Sequence, residues 1–370
     1  MFNFKLEAID GSVRAGVVKE AGYNIPTPMR VLNSNELEHS KKVNTSGLAR
    51  FTAPHPVFEI TKYLWPNTVN TFIKNGAASY GFQKQLEDIS NKAGQRITLF
   101  HPILDRGLDI NDRINDVITE MQLQINADAI AILDRYNSNP LQFEERLTKS
   151  MRSIEKADSP AEPMPVLRLD TDDRLFGDKL KIILKHGIKI ANLIYAPIKQ
   201  NFQNYTNVLK HLKEEDIWIH MSELGRTTCK SSSLIHLMPM FGIDSFAMKS
   251  RPLPIGKFEK KLRAIKRFDA GTLGNITPDE HKKLYGEDLN CDCFVDDGRT
   301  MTSFIDEFNG AELLKSALIC HETYSSYEEF RMSRTRIIKK SYYDYLRQKP
   351  YAYAPIKRFL GIDLKNKSLT

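Results

Sequence analysis

The middle of the chain alternates between a helical and a strand-like spacing of apolar residues. Residues 111–126 repeat apolar side chains every three or four positions, which predicts an amphipathic helix. The apolar run at 127–133 predicts a buried strand that ends just before Asp134. Further strands are predicted at 165–169, 188–196, 217–221 and 242–248. Further helices are predicted at 141–156, 178–187, 201–214 and 229–240.

This alternation of short apolar strands with helices is typical of a parallel sheet covered by helices. The units are numerous enough for a (β/α)8 barrel of TIM type, an α/β fold, within one domain spanning 1–370. The C-terminal third has a different pattern. It contains a predicted helix at about 311–320 and a strongly basic segment at 327–348, in which tyrosines lie among lysines and arginines.

The composition is that of a globular protein, with 41% hydrophobic and 27% charged residues in 370. No apolar run reaches the roughly 18 residues that a membrane span requires. Acidic residues stand near the N-terminus, where a signal peptide would be apolar, so a cytoplasmic protein is expected. Lysine and arginine total 53 against 46 acids, a net charge of +7. This excess suits a polyanionic partner such as nucleic acid.

The four cysteines are too few for a disulfide scaffold. Cys291 and Cys293 are separated by a single residue, and cysteines that close rarely form a disulfide with each other. Their spacing therefore favours a shared metal ion.

Five short motifs occur in order along the chain. They are Phe4 with Asp10-Gly11, Arg14-Ala15-Gly16 and Thr27-Pro28; Ser-Tyr-Gly-Phe-Gln at 79–83; ADAIAILDRYNSNP at 127–140; GIDSFAMKSRP at 242–252; and 291–296 with His321. In their order and spacing they resemble the motifs of the tRNA-guanine transglycosylases, over about residues 1–330. Within that family the chain looks most like the 7-deazaguanine DNA transglycosylases of phages and genomic islands.

The resemblance implies a (β/α)8 barrel with a zinc-binding C-terminal insertion, here at about 285–330, followed by a basic helix at about 327–348. It implies a pentosyltransferase that replaces guanine in DNA by a 7-deazaguanine, a preQ-type base. In such enzymes an aspartate attacks C1′ and forms a covalent intermediate, and a second carboxylate moves protons. The partners implied are DNA, or tRNA in the alternative, and the free base. The expected location is the cytoplasm, that of the host if the gene is phage-borne.

The zinc motif of the family corresponds here to Cys291, Cys293 and His321. Its third cysteine is replaced by Asp296, whose carboxylate is also a zinc ligand. Cys320 and Asp297 are rival candidates for the fourth ligand. The resemblance implies that zinc here is a structural cofactor, because four protein ligands leave no position for a substrate.

Both catalytic aspartates of the family are absent at the matching positions, which hold Ala78 and Ala247. A methyl group neither attacks C1′ nor carries a proton, so the chain as written is expected to be inactive unless another carboxylate takes the role. Asp244 lies three residues before Ala247 on a predicted strand, so the two are expected on opposite faces. The alanines are either natural or introduced by mutation.

The remaining motif residues imply binding contacts. Asp134 corresponds to the aspartate of the family that recognises the base, and it ends a predicted strand, where barrel sites lie. A base pocket is expected from Ser79, Gly81, Phe82 and Gln83 in a loop that position 78 opens. Contacts to the nucleic-acid backbone are expected from Lys249, Arg251 and Arg299.

Two alternatives to a base-exchange enzyme remain open at the level of sequence. In the first, the chain is a non-catalytic homologue that binds tRNA or a catalytic partner subunit. In the second, it is a zinc-stabilised nucleic-acid-binding protein with no base pocket. The sequence sets neither the oligomeric state, a homodimer included, nor the base inserted.

Overall fold

The computed structural model describes residues 3–20, 22–42, 55–75, 80–94, 96–104, 111–134, 138–225, 233–249, 266–285 and 311–352. Thirteen strands occur in these segments. They are β1 (Asn3–Asp10), β2 (Val13–Glu20), β3 (Tyr23–Pro26), β4 (Met29–Asn33), β5 (Val57–Leu64), β6 (Ile97–Leu104), β7 (Ala129–Leu133), β8 (Glu162–Arg168), β9 (Ile190–Ile194), β10 (Trp218–Leu224), β11 (Ser245–Met248), β12 (Arg267–Asp269) and β13 (Gly274–Ile276). Eight of them, β4 to β11, are parallel and close into a barrel, which confirms the predicted TIM-type architecture.

Helices cover the outside of the barrel. In chain order they are α1 (Ser34–Lys42), α2 (Pro66–Asn75), α3 (Tyr80–Ala93), α4 (Asp112–Gln124), α5 (Pro140–Lys156), α6 (Asp173–Lys185), α7 (Phe202–Leu212), a 3-10 helix (Ile235–Phe241), α8 (Pro278–Tyr285), α9 (Ala311–Ile338) and α10 (Tyr342–Arg347). Local sequence fixes several boundaries. Asn139 caps α5 in a reciprocal capping box with Gln142, and Pro140 occupies the first turn.

Strand β11 shows which residues face the lumen. The ring of Phe246 points outward and stacks on Phe330 of α9, with ring centroids 5.3 Å apart. Ala247, the next residue, is fully buried and pairs in register with Val31 of β4. Because side chains alternate along a strand, Ala247 faces the lumen. Its predicted orientation, opposite to Asp244, is confirmed.

A three-stranded antiparallel sheet, β1 to β3, packs against the amino-terminal ends of the barrel strands. Its Arg14 is fully buried and donates from Nε to Asp244 Oδ1 at 3.1 Å. The same guanidinium donates to the carbonyl of Ile217, just before β10, at 2.8 Å. The other oxygen of Asp244 accepts from the backbone amide of Ile219 at 2.8 Å. Asp244 is therefore a buried structural carboxylate at the end of the barrel away from the expected site.

The basic segment predicted as one helix over 327–348 is divided in two. Lys340 adopts a left-handed backbone conformation, with φ of 52°, and separates α9 from α10. Part of its positive charge serves the fold, since Arg334 donates to the carbonyls of Gly16 and Thr27 at 2.6 and 3.0 Å. Tyr343 lies buried against the β1–β2 turn, where its hydroxyl is 2.8 Å from Ser12 Oγ. The segment thus ties the C-terminal helices to the N-terminal sheet.

The helix predicted at 229–240 is also revised. Residues 229–232 lie outside the described residues. The rest of the segment has a 3-10 helix at Ile235–Phe241, which contains Pro239, a residue that the interior of an α-helix disfavours, and ends at Gly242 in the left-handed conformation. Across the described segments, no helix is both long enough and apolar enough to cross a bilayer.

Replacing Asp244 by alanine is expected to lower the free energy of unfolding by about 3–5 kcal/mol, because the Arg14 guanidinium would stay buried without its countercharge. Urea denaturation followed by circular dichroism measures the loss. Glu214→Ala is the control, since that side chain is 76% exposed, and a change of about 0.5 kcal/mol or less is expected for it. Equal effects of the two substitutions would contradict the structural role of Asp244.

Candidate functional site at the barrel mouth

The carboxyl-terminal ends of the eight strands meet at one mouth, the place where TIM-barrel sites form. Strand β10 reaches this mouth with an irregularity. Its register to β11 shifts between Met221 and Leu224, which marks a β-bulge at Ser222 and Glu223. Glu223 has φ of 63°, the left-handed conformation that residues other than glycine seldom adopt.

The bulge turns Glu223 into the barrel. Met221 packs outward in the core between the barrel and its helices, while Ser222 bonds to side chains within the lumen. Strict alternation would then place Glu223 outward and Leu224 inward. Instead Leu224 packs in the outer core, so the extra residue of the bulge, Glu223, joins Ser222 on the inner side.

The carboxylate of Glu223 reaches across the mouth. Its Oε1 lies 3.3 Å from Nε2 of His101 on β6, the strand directly opposite β10 in the order around the barrel. Its Oε2 lies 3.3 Å from Nζ of Lys249, which follows β11. The Glu223 side chain is 15% exposed, whereas that of His101 is completely buried. The carboxylate is therefore held by two cationic side chains and retains access to solvent.

A second carboxylate, Glu59 on β5, lies deeper in the lumen. Its Oε2 accepts from His220 Nε2 at 2.9 Å and from the Ser222 hydroxyl, and its Oε1 accepts from Thr61 at 3.0 Å. Burial by itself would raise the pKa of Glu59, but these donors and the charge of His101 hold it below its usual range. On its far side His220 contacts Ser245 Oγ at 2.8 Å. Glu59 is thus a buried, ionised group with its acceptors filled.

The two carboxylates are joined by one chain of hydrogen bonds. Ser222 Oγ lies 3.0 Å from one end of the Asn192 amide, and the other end lies 3.3 Å from Nδ1 of His101. Ser222 has one hydroxyl proton, which lies between Oε2 of Glu59 and Oδ1 of Asn192. Nδ2 of Asn192 in turn faces Nδ1 of His101.

His101 thus meets Asn192 through Nδ1 and Glu223 through Nε2. Desolvation lowers the pKa of His101, but the hydrogen bond to Glu223 and the charges of Glu59 and Glu223 outweigh it and leave the pKa raised. Desolvation likewise opposes ionisation of Glu223, yet His101 and Lys249 bring its pKa to about 2. The mouth therefore carries an ionised carboxylate between Lys249 and a histidine whose pKa is raised.

Two residues expected at the site do meet at this mouth. Ala247 faces the lumen on β11, the strand next to β10, and Lys249 directly follows the end of β11. Lys249 was expected to contact nucleic acid. The structure pairs its ammonium with Glu223, while the side chain remains 35% exposed.

Asp134 ends β7 as predicted, but its carboxylate turns toward the helical layer. Its oxygens bond to Lys179 Nζ and to the Ser138 hydroxyl, and Arg146 Nη1 lies 3.7 Å away. Lys179 and Arg146 belong to α6 and α5, outside the barrel. Recognition of a base by Asp134 would require these buried ion pairs to open.

The loop expected at 79–83 is a helix over most of its length. Gly81, Phe82 and Gln83 lie in the first turns of α3, between β5 and β6. The prediction of a loop there is wrong, since Gly81 lies only in the first turn and 82–93 contains neither glycine nor proline. Ala78, Ser79, Arg251 and Arg299 lie outside the described residues.

Of the proposed zinc ligands, the structure describes His321 alone; Cys291, Cys293 and Asp296 fall outside it. His321 is buried on α9, and its Nε2 donates to the carbonyl of Phe268 at 2.8 Å. A carbonyl oxygen can only accept, so this bond places a proton on Nε2. The described residues contain no cluster of three or more metal-ligating side chains.

The sequence analysis did not identify Glu59, His101 or Glu223. A signal was present in the sequence around β10. His220 lies within the apolar strand predicted at 217–221, and Glu223 follows two residues after its predicted end. Charged side chains in a strand that is buried on both faces need partners, and they mark a lumen with a chemical role.

No protein-family model matches this chain, and no curated protein matches it. No matched family therefore supports the motif resemblance. The structure contributes the barrel fold and the arrangement of residues at its mouth.

The stability contributed by His101 is expected to depend on pH. Its pKa is raised in the folded state, so the contribution is complete below about pH 6.5, the unfolded pKa, and is lost as pH rises through the higher folded value. The difference in melting temperature between the native chain and His101→Gln should therefore shrink from pH 6 to pH 9.

His211→Gln is the control, because the pKa of this partly exposed histidine is lowered by desolvation, and its difference should not shrink over the same range. The buried histidines His55 and His236 titrate equally in all three proteins and cancel in the comparison. A difference for His101→Gln that is constant with pH would contradict the raised pKa of His101.

Proposed function

We propose that the chain is a base-exchange transglycosylase that replaces guanine in DNA by a 7-deazaguanine at the barrel mouth. The motif order supports the reaction class. The observation that carries the proposal is the Glu223 carboxylate, ionised and open to solvent in the mouth beside Ala247. The resemblance implies that Ala247 marks the place where the sugar of the target nucleotide is attacked. Chemistry at C1′ requires a carboxylate there, and Glu223 supplies one.

The charge around the mouth supports a nucleic-acid substrate. Lys249 lies at the rim, and Arg251 follows it two residues later in the sequence. Together with Arg299 and the net charge of +7, these residues suit contacts to phosphate groups, which fix the position of a strand without reading its sequence. DNA is preferred over tRNA because the altered motifs resemble those of the DNA-modifying branch.

We further propose a structural zinc ion held by Cys291, Cys293, Asp296 and His321. Because Nε2 of His321 donates to the carbonyl of Phe268, the ion would be bound through Nδ1. The ion would fasten the segment around 291–296 to α9. It would take no part in the exchange reaction, since four protein ligands complete its tetrahedral shell.

A second candidate function is a non-catalytic homologue that binds nucleic acid or a partner subunit. The observation that favours it is Asp134, whose carboxylate is engaged by Lys179 and Ser138 and is not directed at a base. The absence of both family aspartates at 78 and 247 points the same way. The two candidates differ in whether the unaltered chain has exchange activity.

Exchange activity is tested with a radiolabelled 7-deazaguanine of the preQ type. The native chain is expected to incorporate label into duplex or single-stranded DNA, because an ionised carboxylate stands at the mouth. Filter retention of labelled DNA measures the rate, with tRNA assayed in parallel. Label in tRNA alone would refute the DNA assignment. Binding without incorporation in any nucleic acid would favour the non-catalytic homologue.

The purified chain is expected to contain about one zinc ion, because four ligands of the preferred type are available. Elemental analysis by plasma mass spectrometry measures the content, and chelation should lower the melting temperature. Cys291→Ser should lose the metal, whereas Cys229→Ser, a cysteine outside the motif, should keep it. A chain free of zinc whose melting is unchanged by a chelator would exclude the site.

A further inference from the structure

We propose that Glu223 is the nucleophilic carboxylate of this site and replaces, from the neighbouring strand, the aspartate missing at Ala247. The inference rests on the proposed base-exchange function and names the residue that performs it.

The geometry brings Glu223 to the position that Ala247 leaves without a reactive group. Strands β10 and β11 are adjacent and parallel, and Leu224 pairs in register with Met248. The backbone amide of Lys249 donates to the carbonyl of Leu224 at 2.8 Å, so the two strand ends stay together at the mouth. A glutamate side chain is one methylene longer than an aspartate. The longer side chain can therefore reach, from the adjacent strand, the part of the mouth that an aspartate at position 247 would occupy.

The backbone of Glu223 adopts an uncommon conformation. Its left-handed conformation, with φ of 63°, is unfavourable for a residue with a Cβ atom, and a glycine would adopt it freely. The bulge that goes with it interrupts the β10–β11 ladder. Besides letting Leu224 pack outward, the bulge directs a carboxylate into the mouth. Bulges that redirect a side chain in this way are over-represented next to active sites.

The partners of Glu223 keep it charged and leave it accessible. His101 is fully buried beneath it and is itself fixed through Asn192 and Ser222. Lys249 contacts the other oxygen from the rim at 3.3 Å. Glu59, a purely structural carboxylate of this barrel, differs in its exposure, since only 2% of its side chain is exposed against 15% for Glu223. His101 and Lys249 are thus positioning residues for Glu223.

The reaction balances with these groups and water. A carboxylate oxygen of Glu223 forms a bond to C1′ while the C1′–N9 bond of the target guanosine breaks. The electron pair of that bond goes to the departing guanine, which takes a proton from water. The incoming 7-deazaguanine then gives up its N9 proton to water, and N9 attacks C1′. The bond between C1′ and Glu223 breaks, and the carboxylate is regenerated.

The test compares the native chain with Glu223→Gln and with Glu155→Gln, an exposed carboxylate on α5 that serves as the control. Glutamine keeps the size and backbone preference of glutamate and still accepts a hydrogen bond from His101, but it is a poor nucleophile. Incorporation of labelled 7-deazaguanine into DNA is expected to fall roughly a thousandfold or more in Glu223→Gln, as it does when other enzymes lose their nucleophile. Glu155→Gln should retain the native rate.

A second measurement does not depend on the variant folding. Native chain incubated with DNA in the absence of free base should accumulate a covalent protein–DNA adduct, resolved on a denaturing gel. Digestion and mass spectrometry are expected to place the attached sugar on Glu223. An adduct on another residue, or activity in Glu223→Gln within tenfold of native, would overturn the assignment while leaving the base-exchange function standing. A native chain that forms no adduct and exchanges no base in DNA or tRNA would overturn both.

Discussion

The negative charge of Glu59, buried inside a closed barrel, requires hydrogen-bond donors from the surrounding strands. Glu59 is buried in the lumen, so its charge has to be met by hydrogen-bond donors. His220, Ser222 and Thr61 supply them. Ser222 also links Glu59 through Asn192 to His101. The charge of Glu59 helps to raise the pKa of His101, and His101 in turn helps to lower that of the carboxylate at the mouth.

The same constraint relates the interior of the barrel to its surface. Ser222 has to face inward to reach Glu59, yet Leu224 two positions later has to face outward to fill the helical layer. A regular strand gives both residues the same side. The bulge at Glu223 resolves this conflict, and it leaves one extra side chain pointing into the mouth. A packing requirement and a candidate catalytic group are therefore two consequences of one local irregularity.

The opposite end of the barrel shows why motif resemblance and chemical role have to be separated. Asp10, Arg14 and Gly16 belong to the first of the five motifs, and all three serve the fold. Arg14 neutralises Asp244, Gly16 gives its carbonyl to Arg334, and Asp10 accepts from the amide of Tyr342 at 2.9 Å. These contacts hold the N-terminal sheet and the C-terminal helices over the barrel base. These contacts lie at the base of the barrel and not at its mouth, so this part of the resemblance supports a shared fold and not a shared reaction.

The sequence by itself determined the second half of the barrel, because the apolar spacing of β7 to β11 and their helices is a local property. Alternation also set Asp244 and Ala247 on opposite faces. The apolar pattern did not predict β5 and β6, because Glu59 and His101 interrupt it there. Only the tertiary structure decided the site. His101 and Glu223 stand 122 positions apart in the chain, and they meet because closure of the barrel places their strands opposite each other and a bulge turns one carboxylate inward.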